Sequence, residues 1–273
     1  MEDNKHYKIN HTIVSPNDKP SVPVPAATVL LVRDKNKRIE VFMLERASRT
    51  NFGGAWVFPG GKLDVDDCRK DIADICFGLD DREASKKLDM EEGGIHYWIA
   101  CIRECFEESG ILLVYRKNGE LLGDTSDEEN KIIQQYRQKL LNGEHVFLDL
   151  MRELNTQLAT DQLAYIAHWI TPQIEKKRYN TRFFIAKSPA QQADHDGYEG
   201  VDSRWVNPAK ALAAMNQGKF PIIMPTNKSL ELVATYKTTN ELLEHNKKNN
   251  YKNIPTTEPK FIVENGEIKL VTN

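Results

Sequence analysis

The chain has 273 residues, 40% hydrophobic and 28% charged, with a formal net charge of −3. That length and composition suit one domain with insertions around a buried core, and they exclude wholesale disorder. The near-balanced charge gives no basic surplus for nucleic acid or an anionic membrane as the main partner, so a polyanionic small molecule would need a local cationic centre.

Residues 1–22 are polar, with Pro16 and Pro20 inside and Pro23 and Pro25 just beyond, and read as an extended N-terminal arm. Residues 26–32 are a short apolar run, hence a buried strand. Residues 34–38 read as a turn and 40–46 as a second strand pairing with the first. Residues 55–58 form a short strand ended by Pro59-Gly60-Gly61. A charge-rich, patchily helical insertion follows over about 66–97. Residues 97–109 are a helix with Ile99, Ile102 and Phe106 on its apolar side, and Gly110 stops it. Residues 111–115 are again a strand.

Residues 125–164 read as helical throughout, because Ile132, Ile133, Tyr136, Leu140 and Leu141, then Leu148, Met151, Leu154 and Leu158, recur at helical spacing. Strands are expected at 167–170 and 182–186, a helix at 208–216 with Pro208 in its first turn, and a longer helix at 226–246. Residues 261–270 read as a hairpin with Asn265-Gly266 as its turn. These elements predict an α/β chain with one domain over 23–250 and a tail over 251–273. There is no internal repeat, no Rossmann GxGxxG and no Walker GxxxxGK[ST].

The four cysteines, Cys68, Cys76, Cys101 and Cys105, match no zinc spacing and read as buried, inert thiols. No apolar run approaches the roughly 18 residues of a membrane span. The start is polar, without a signal-peptide apolar region, and the last three residues are no peroxisomal address. A cytoplasmic location without membrane attachment is the expectation.

The chemistry sits in two separated segments. Phe58-Pro59-Gly60-Gly61-Lys62-Leu63-Asp64 comes first, and Arg103-Glu104-Cys105-Phe106-Glu107-Glu108-Ser109-Gly110-Ile111 follows far downstream. Helical spacing brings Glu104, Glu107 and Glu108 near one another, where they repel, and Arg103 neutralises only part of that charge. A hard divalent cation resolves the conflict, since Mg²⁺ takes oxygen ligands and keeps several waters. Gly60 and Gly61 let the backbone come close to a metal or phosphate, and a glycine carbonyl can serve as a ligand. Taken singly, a Glu-rich helix is commonly a solvated face and Pro-Gly-Gly a mere turn. Together and in this order they are far more specific.

Rejoined, these segments resemble the Nudix hydrolase family, whose box reads G-x5-E-x7-R-E-U-x-E-E-x-G-U with U aliphatic. Gly61 matches the first glycine, Asp67 replaces the first glutamate, and Arg103, Glu104, Glu107, Glu108, Gly110 and Ile111 match the second half, with Cys105 at the first U. Asp67 and Arg103 are separated by 35 residues where the box has 7, an excess of 28. Closing a fivefold longer loop costs only about 1.4 kcal/mol. The insertion is therefore tolerable provided Asp64 and Tyr97 end close together. A box split in this way resembles the coenzyme A diphosphatase branch, with Val57-Phe58-Pro59-Gly60-Gly61-Lys62-Leu63-Asp64 as its start. An upstream arginine motif of that branch is matched in part by Arg46-Ala47 and by Gly54 before Phe58, with Arg49 displaced by two positions.

The resemblance implies a Nudix α/β/α sandwich with a mixed sheet and helical insertions at about 66–97 and 125–164. It implies Mg²⁺- or Mn²⁺-dependent hydrolysis of a nucleoside diphosphate-linked compound, with coenzyme A or acyl-coenzyme A as the substrate best supported. Glu104, Arg103 and Glu107 would be catalytic, and Glu104, Glu107, Glu108 and the Gly60 carbonyl would hold the metal. Arg46, Arg49, Gly61 and Arg182 would bind substrate, and Glu199, Asp202 or Asp64 could supply a further acid or base. Trp169, Trp205 and Phe52 are candidates to stack on an adenine. The expected partner is a small nucleotide substrate, not nucleic acid or membrane, with a homodimer left open. The rivals are a Nudix hydrolase of ADP-ribose, a dinucleotide or a nucleoside triphosphate, and a non-catalytic nucleotide-binding module.

Overall fold

The computed structural model describes residue 14 and residues 19–49, 52–197, 200–248, 254–264 and 267–271. The remaining positions, including most of the N-terminal arm, Tyr198, Glu199 and the Asn265-Gly266 turn, lie outside the described residues.

Strand β1, Val24–Lys35, is buried on both faces, as its near-continuous apolar run requires. Ala27, Val29 and Leu31 enter one core layer, and Leu30 and Val32 enter the other. Asn36 and Lys37, both left-handed with φ of 51° and 60°, return the chain into β2, Arg38–Arg46. β1 also runs parallel to β8, Tyr179–Lys187, which pairs antiparallel with β7, Ala164–Ile170.

The β1–β2 ladder ends at Val32↔Val41, and from there the two strands diverge. Two short strands occupy the gap. β3, Trp56–Val57, pairs with β2, and β4, Gly60–Lys62, pairs with β1 at Ala26↔Lys62 through Thr28↔Gly60. The Phe58-Pro59 link therefore crosses the split in the sheet. β9, Gly200–Val206, covers the other edge of β2, and β10, Thr256–Thr257, joins β7 to complete a mixed eight-stranded sheet among the described residues.

Helix α3, Ile95–Ser109, covers one face and packs Trp98, Ile102 and Phe106 against Val29, Leu31 and Phe184. Helices α4, Asp127–Leu141, and α5, Phe147–Leu154, extend that layer. On the opposite face, α6, Pro208–Asn216, α7, Met224–Ala234, and α8, Thr239–Lys248, bury Ala211, Leu230, Val233 and Leu242 against Leu30, Met43 and Ile185. This is the α/β/α arrangement. The segment after β4 carries α1, Lys70–Ala73, and α2, Asp81–Leu88.

Three sequence expectations need correction. Residues 125–164 are not helical throughout: Asn155, left-handed at φ 50°, ends α5, and β6, Thr156–Leu158, pairs with β5, Val114–Arg116. Leu158, counted as the next helical apolar position, is instead the inward residue of that strand. The helix expected over 226–246 is two helices: Thr238 Oγ1 accepts from the Glu241 N–H (3.2 Å) and caps a new helix start, and the Asp34 carboxylate at the end of β1 accepts from the Thr239 N–H (3.0 Å) and hydroxyl (2.5 Å). Among the cysteines, Cys101 and Cys105 are buried, but Cys68 is exposed. The C-terminal β11, Lys260–Glu264, and β12, Glu267–Val271, pair antiparallel in the expected register. No helix among the described residues is long and apolar enough to cross a membrane.

Trp98 is 1% exposed and meets Phe184 edge-on at 4.6 Å, joining α3 to the sheet. Trp98→Ala should lower the unfolding free energy by about 3–5 kcal/mol, read as a shifted midpoint in urea melts.

Candidate functional site

Two segments that α1 and α2 separate in sequence meet at one arginine. Arg103, only 7% exposed, donates Nε to Asp67 Oδ1 (2.9 Å) and Nη2 to Asp67 Oδ2 (2.8 Å). Its Nη2 also donates to the Lys62 carbonyl (2.9 Å), and its Nη1 to Glu104 Oε1 (3.0 Å) and Glu107 Oε1 (2.9 Å). The planar, forked guanidinium can serve all these acceptors at once, which a lysine could not. Asp67 is fully buried, and its Oδ2 also accepts from the Asp64 N–H at 2.7 Å.

The glycines are required by close approach. A Cβ on Gly61 would fall 2.5 Å from the Glu104 carboxylate, and one on Gly60 would fall 2.4 Å from the Ala27 carbonyl oxygen. Strand β4 thus passes between β1 and the acidic turn of α3 only as bare backbone. The Gly60 N–H donates to Glu108 Oε2 at 2.8 Å, a third link between the segments.

The excised stretch folds back to support α3. The Asp81 carboxylate accepts from the N–H groups of Gly93 and Ile95, each at 3.0 Å, placing an acid at the N-terminus of α3. Ser85 Oγ accepts from the Gly94 N–H at 2.9 Å. At the other end, Gly110 is left-handed at φ 74°, which ends the helix. Arg137 of α4 packs there and donates to the Glu107 carbonyl and the Asp194 carbonyl, each at 3.0 Å.

Beside this junction, at the split in the sheet, lies a cleft of about 1310 Å³. Glu104, Glu107, Arg103, Gly60, Gly61, Lys62 and Asp64 line it, and so do Arg46 and Arg49 after β2. Burial pushes the Glu104 carboxyl up to about 7; Arg103 opposes this and Glu107 adds to it. Burial likewise raises Glu107, against the pull of Arg103. Burial lowers the Arg103 pKa, but Glu104, Asp67 and Glu107 outweigh it and leave the guanidinium firmly charged.

A tight Gly-Gly approach, a buried arginine shared by three acids and a helix stopped by glycine form one spatial motif. The family described as the NUDT19 Nudix domain matches residues 76–231, more than half of the chain. The chain belongs to the Nudix family. It is 28% identical over 234 residues to the acyl-coenzyme A diphosphatase NUDT19 of Xenopus laevis, covering 74% of this chain and 62% of that protein. It is 26% identical over 202 residues to putative nudix hydrolase 7 of Caenorhabditis elegans, covering 73% of this chain and 57% of that protein. The chain thus spans about three-fifths of the length of these relatives. The crystal structure of a Nudix hydrolase from Alicyclobacillus acidocaldarius has the same fold, with a TM-score of 0.67 at 22% identity over 82% of this chain and 96% of that one.

Within this Nudix fold, several expected site residues lie elsewhere. Arg182 does not line the cleft: strand alternation sends Thr181 and Phe183 there and turns Arg182 to the α3 face, where its Nη1 donates to Tyr165 Oη at 2.8 Å. Asp202 sits on β9, pairs with Arg204 at 2.5 Å and does not line the cleft. Glu108 stays at the junction: its carboxylate accepts from the N–H of Gly60, which lines the cleft, although Glu108 is not itself a lining residue. Glu199 lies outside the described residues. Trp205 packs on Phe42 and under Arg33, whereas Trp169 and Phe52 do line the cleft. Phe52 is left-handed at φ 59°, a costly conformation for an aromatic residue and one typical of functional loops.

Sequence reasoning missed His145. In the α4–α5 loop, its Nδ1 lies 3.2 Å from Asp64 Oδ1 and 3.6 Å from Asp66 Oδ2, at the lining of the cleft. Its one available signal, Gly143-Glu144-His145 breaking a helical run, marks a loop without giving its destination. None of residues 68–102 lines the cleft, whereas Leu140, Gly143, Glu144, His145 and Phe147 do.

Asp67→Asn leaves a buried cation incompletely paired and should destabilise the fold by about 3–5 kcal/mol in urea titrations. Adding Arg103→Met should not recover that loss, because it strips Glu104 and Glu107 of the cation they share. Arg137→Ala removes two charge-assisted bonds to backbone and should speed amide exchange at 107–111 more than at 95–99.

Proposed function

We propose that this chain hydrolyses the phosphoric anhydride of a nucleoside diphosphate-linked compound with Mg²⁺ or Mn²⁺, and that coenzyme A or an acyl-coenzyme A is its substrate. The observation that carries the reading is the meeting of Gly60 and Gly61 with Glu104 and Glu107 in one cleft that Arg46 and Arg49 also line. The cleft volume of about 1310 Å³ exceeds the usual range for a small ligand and suits a substrate with a long arm beyond its nucleotide. The 28% identical frog relative bears the name acyl-coenzyme A diphosphatase, which supports the same choice.

The residues fit a hard divalent cation in donor chemistry. Glu104 and Glu107 offer only oxygens and share one guanidinium between them, and burial raises the pKa of both carboxyls. Among the described residues no group of three His, Cys, Asp or Glu side chains is gathered into a ligand set. Glu104, Glu107, Glu108 and the Gly60 carbonyl would hold the cation, and Glu108 already meets the Gly60 backbone. A bound cation would neutralise diphosphate charge and make the attacking water more acidic.

The chain's own groups then divide the work. Arg103 fixes the two carboxylates so that they are oriented before substrate arrives. Glu104 serves either as a ligand or, left unligated, as the base that takes the proton of the attacking water. Arg46 and Arg49 offer cationic, forked donors to the diphosphate or to a 3′-phosphate. Water adds to one phosphorus and gives up its proton, the bridging P–O bond breaks, and the products are adenosine 3′,5′-bisphosphate and 4′-phosphopantetheine or its S-acyl thioester.

With Mg²⁺ or Mn²⁺ and a panel of coenzyme A, ADP-ribose, dinucleotides and nucleoside triphosphates, Glu107→Gln should lower kcat by about a hundredfold or more while the fold persists. Chelation with EDTA should abolish turnover, and added metal should restore it. Faster turnover of ADP-ribose than of coenzyme A would overturn the substrate choice. Binding without hydrolysis of any compound would overturn the enzyme.

A further inference from the structure

The C-terminal part of the described chain returns to the cleft. Strand β10 pairs in parallel with the end of β7, at Thr256↔His168 and Thr257↔Trp169. The His168 ring bridges Thr256 Oγ1 (2.7 Å) and Asn180 Oδ1 (2.5 Å). Beside them stands Arg178, 7% exposed. It donates Nε to the Thr171 carbonyl (2.9 Å), Nη1 to the Ser21 carbonyl (2.8 Å) and Nη2 to Glu258 Oε1 (2.6 Å). One buried guanidinium thus ties the β7–β8 loop, the entry to β1 and the C-terminal segment together.

Directly after Glu258, Pro259 and Phe261 line the same cleft as Glu104 and Glu107, and Trp169, Ile170, Ile222 and Met224 line it with them. Pro172, Ile174 and Pro225 add to this apolar lining, while Glu175 and Lys177 of the β7–β8 loop place charged groups beside it. The family match ends at residue 231, so Pro259 and Phe261 lie beyond it.

We propose that the segment carrying Pro259 and Phe261 is the wall of an apolar subsite for the alkyl part of an acylated substrate, and that Arg178 positions this wall through Glu258. The proposal rests on the anhydride-hydrolysis reading, which puts the diphosphate beside Glu104 and Glu107. A ligand spanning the cleft from that end then carries its distal arm toward Trp169, Pro259 and Phe261, which reward an alkyl chain by desolvation. The three tethers hold the wall in place before binding, which reduces the ordering cost on association.

The test compares free coenzyme A with decanoyl-coenzyme A for the full chain, Phe261→Ala and Glu258→Gln. The ratio of kcat/KM for the decanoyl compound over coenzyme A should fall about tenfold in Phe261→Ala, carried by the KM of the acylated substrate. In Glu258→Gln the ratio should fall in the same direction by less, and Arg178→Lys should behave like Glu258→Gln. An unchanged ratio, or equal losses on both substrates, overturns the wall. Should Phe261→Ala fail to fold by circular dichroism, Pro259→Ala serves in its place under the same criteria. If the wild type hydrolyses neither compound, the proposed reaction is at fault, and calorimetric binding decides the subsite separately. Tighter binding of decanoyl-coenzyme A than of coenzyme A that vanishes in Phe261→Ala sustains the wall; no difference between the two ligands removes it.

Discussion

The site depends on the Arg103 guanidinium. It is buried and bonded to Asp67 at one end of the split motif, to the Lys62 carbonyl beside it, and to Glu104 and Glu107 on its own helix. A buried ion pair repays its desolvation only when its geometry is good and its remaining hydrogen bonds are made, and here the forked donor meets acceptors on all sides. The same bonds close the long loop between Asp67 and Arg103. Loop length matters little to the closure cost, while loss of Asp67 takes two hydrogen bonds from a buried charge and leaves it to Glu104 and Glu107. The structure therefore tolerates the insertion but would not tolerate removal of Asp67.

The second constraint is steric. With β4 passing so close to Glu104, Gly61 has no room for a side chain, and this lets a strand of the sheet edge and an acidic helical turn share one site. Divergence of β1 from β2 opens the gap that β3 and β4 fill, and the cleft lies there. The two helical segments outside the common sheet then serve different ends. The stretch holding α1 and α2 caps the start of α3 through Asp81 and Ser85 and stays out of the cleft. The α4–α5 region caps its end through Arg137 and sends His145 and Phe147 to the lining.

Much of this was legible in the residues. The buried strand at 26–32, the turn at Asn36-Lys37, the α3 helix and its Gly110 stop, and Pro208 opening α6 follow from local rules that tertiary packing did not override. The meeting of Gly60-Gly61 with the acidic helix was legible from the motif. Leu158 was misread because a strand residue after a helix can continue the helical spacing by chance, and only its pairing with Val114 shows the difference. The break between α7 and α8 had a local signal that was passed over, the Thr238-Thr239-Asn240-Glu241 cap; only the added hold of Asp34, 205 residues from Thr239, was out of reach of the sequence.

The sequence by itself determined the local chemistry: which helix carries the acids, where it stops, and which turn is small enough to approach it. These are properties of neighbouring residues, governed by side-chain spacing and backbone freedom. Tertiary structure decided direction and company. The pleat of β8 turned Arg182 away and brought Thr181 and Phe183 to the cleft, a hydrogen bond tied Glu108 to the Gly60 backbone, and sheet pairing brought Phe261 to face the site from the far end of the chain. Side-chain facing and long-range pairing depend on which strands lie next to one another, and that is fixed only when the whole sheet is assembled.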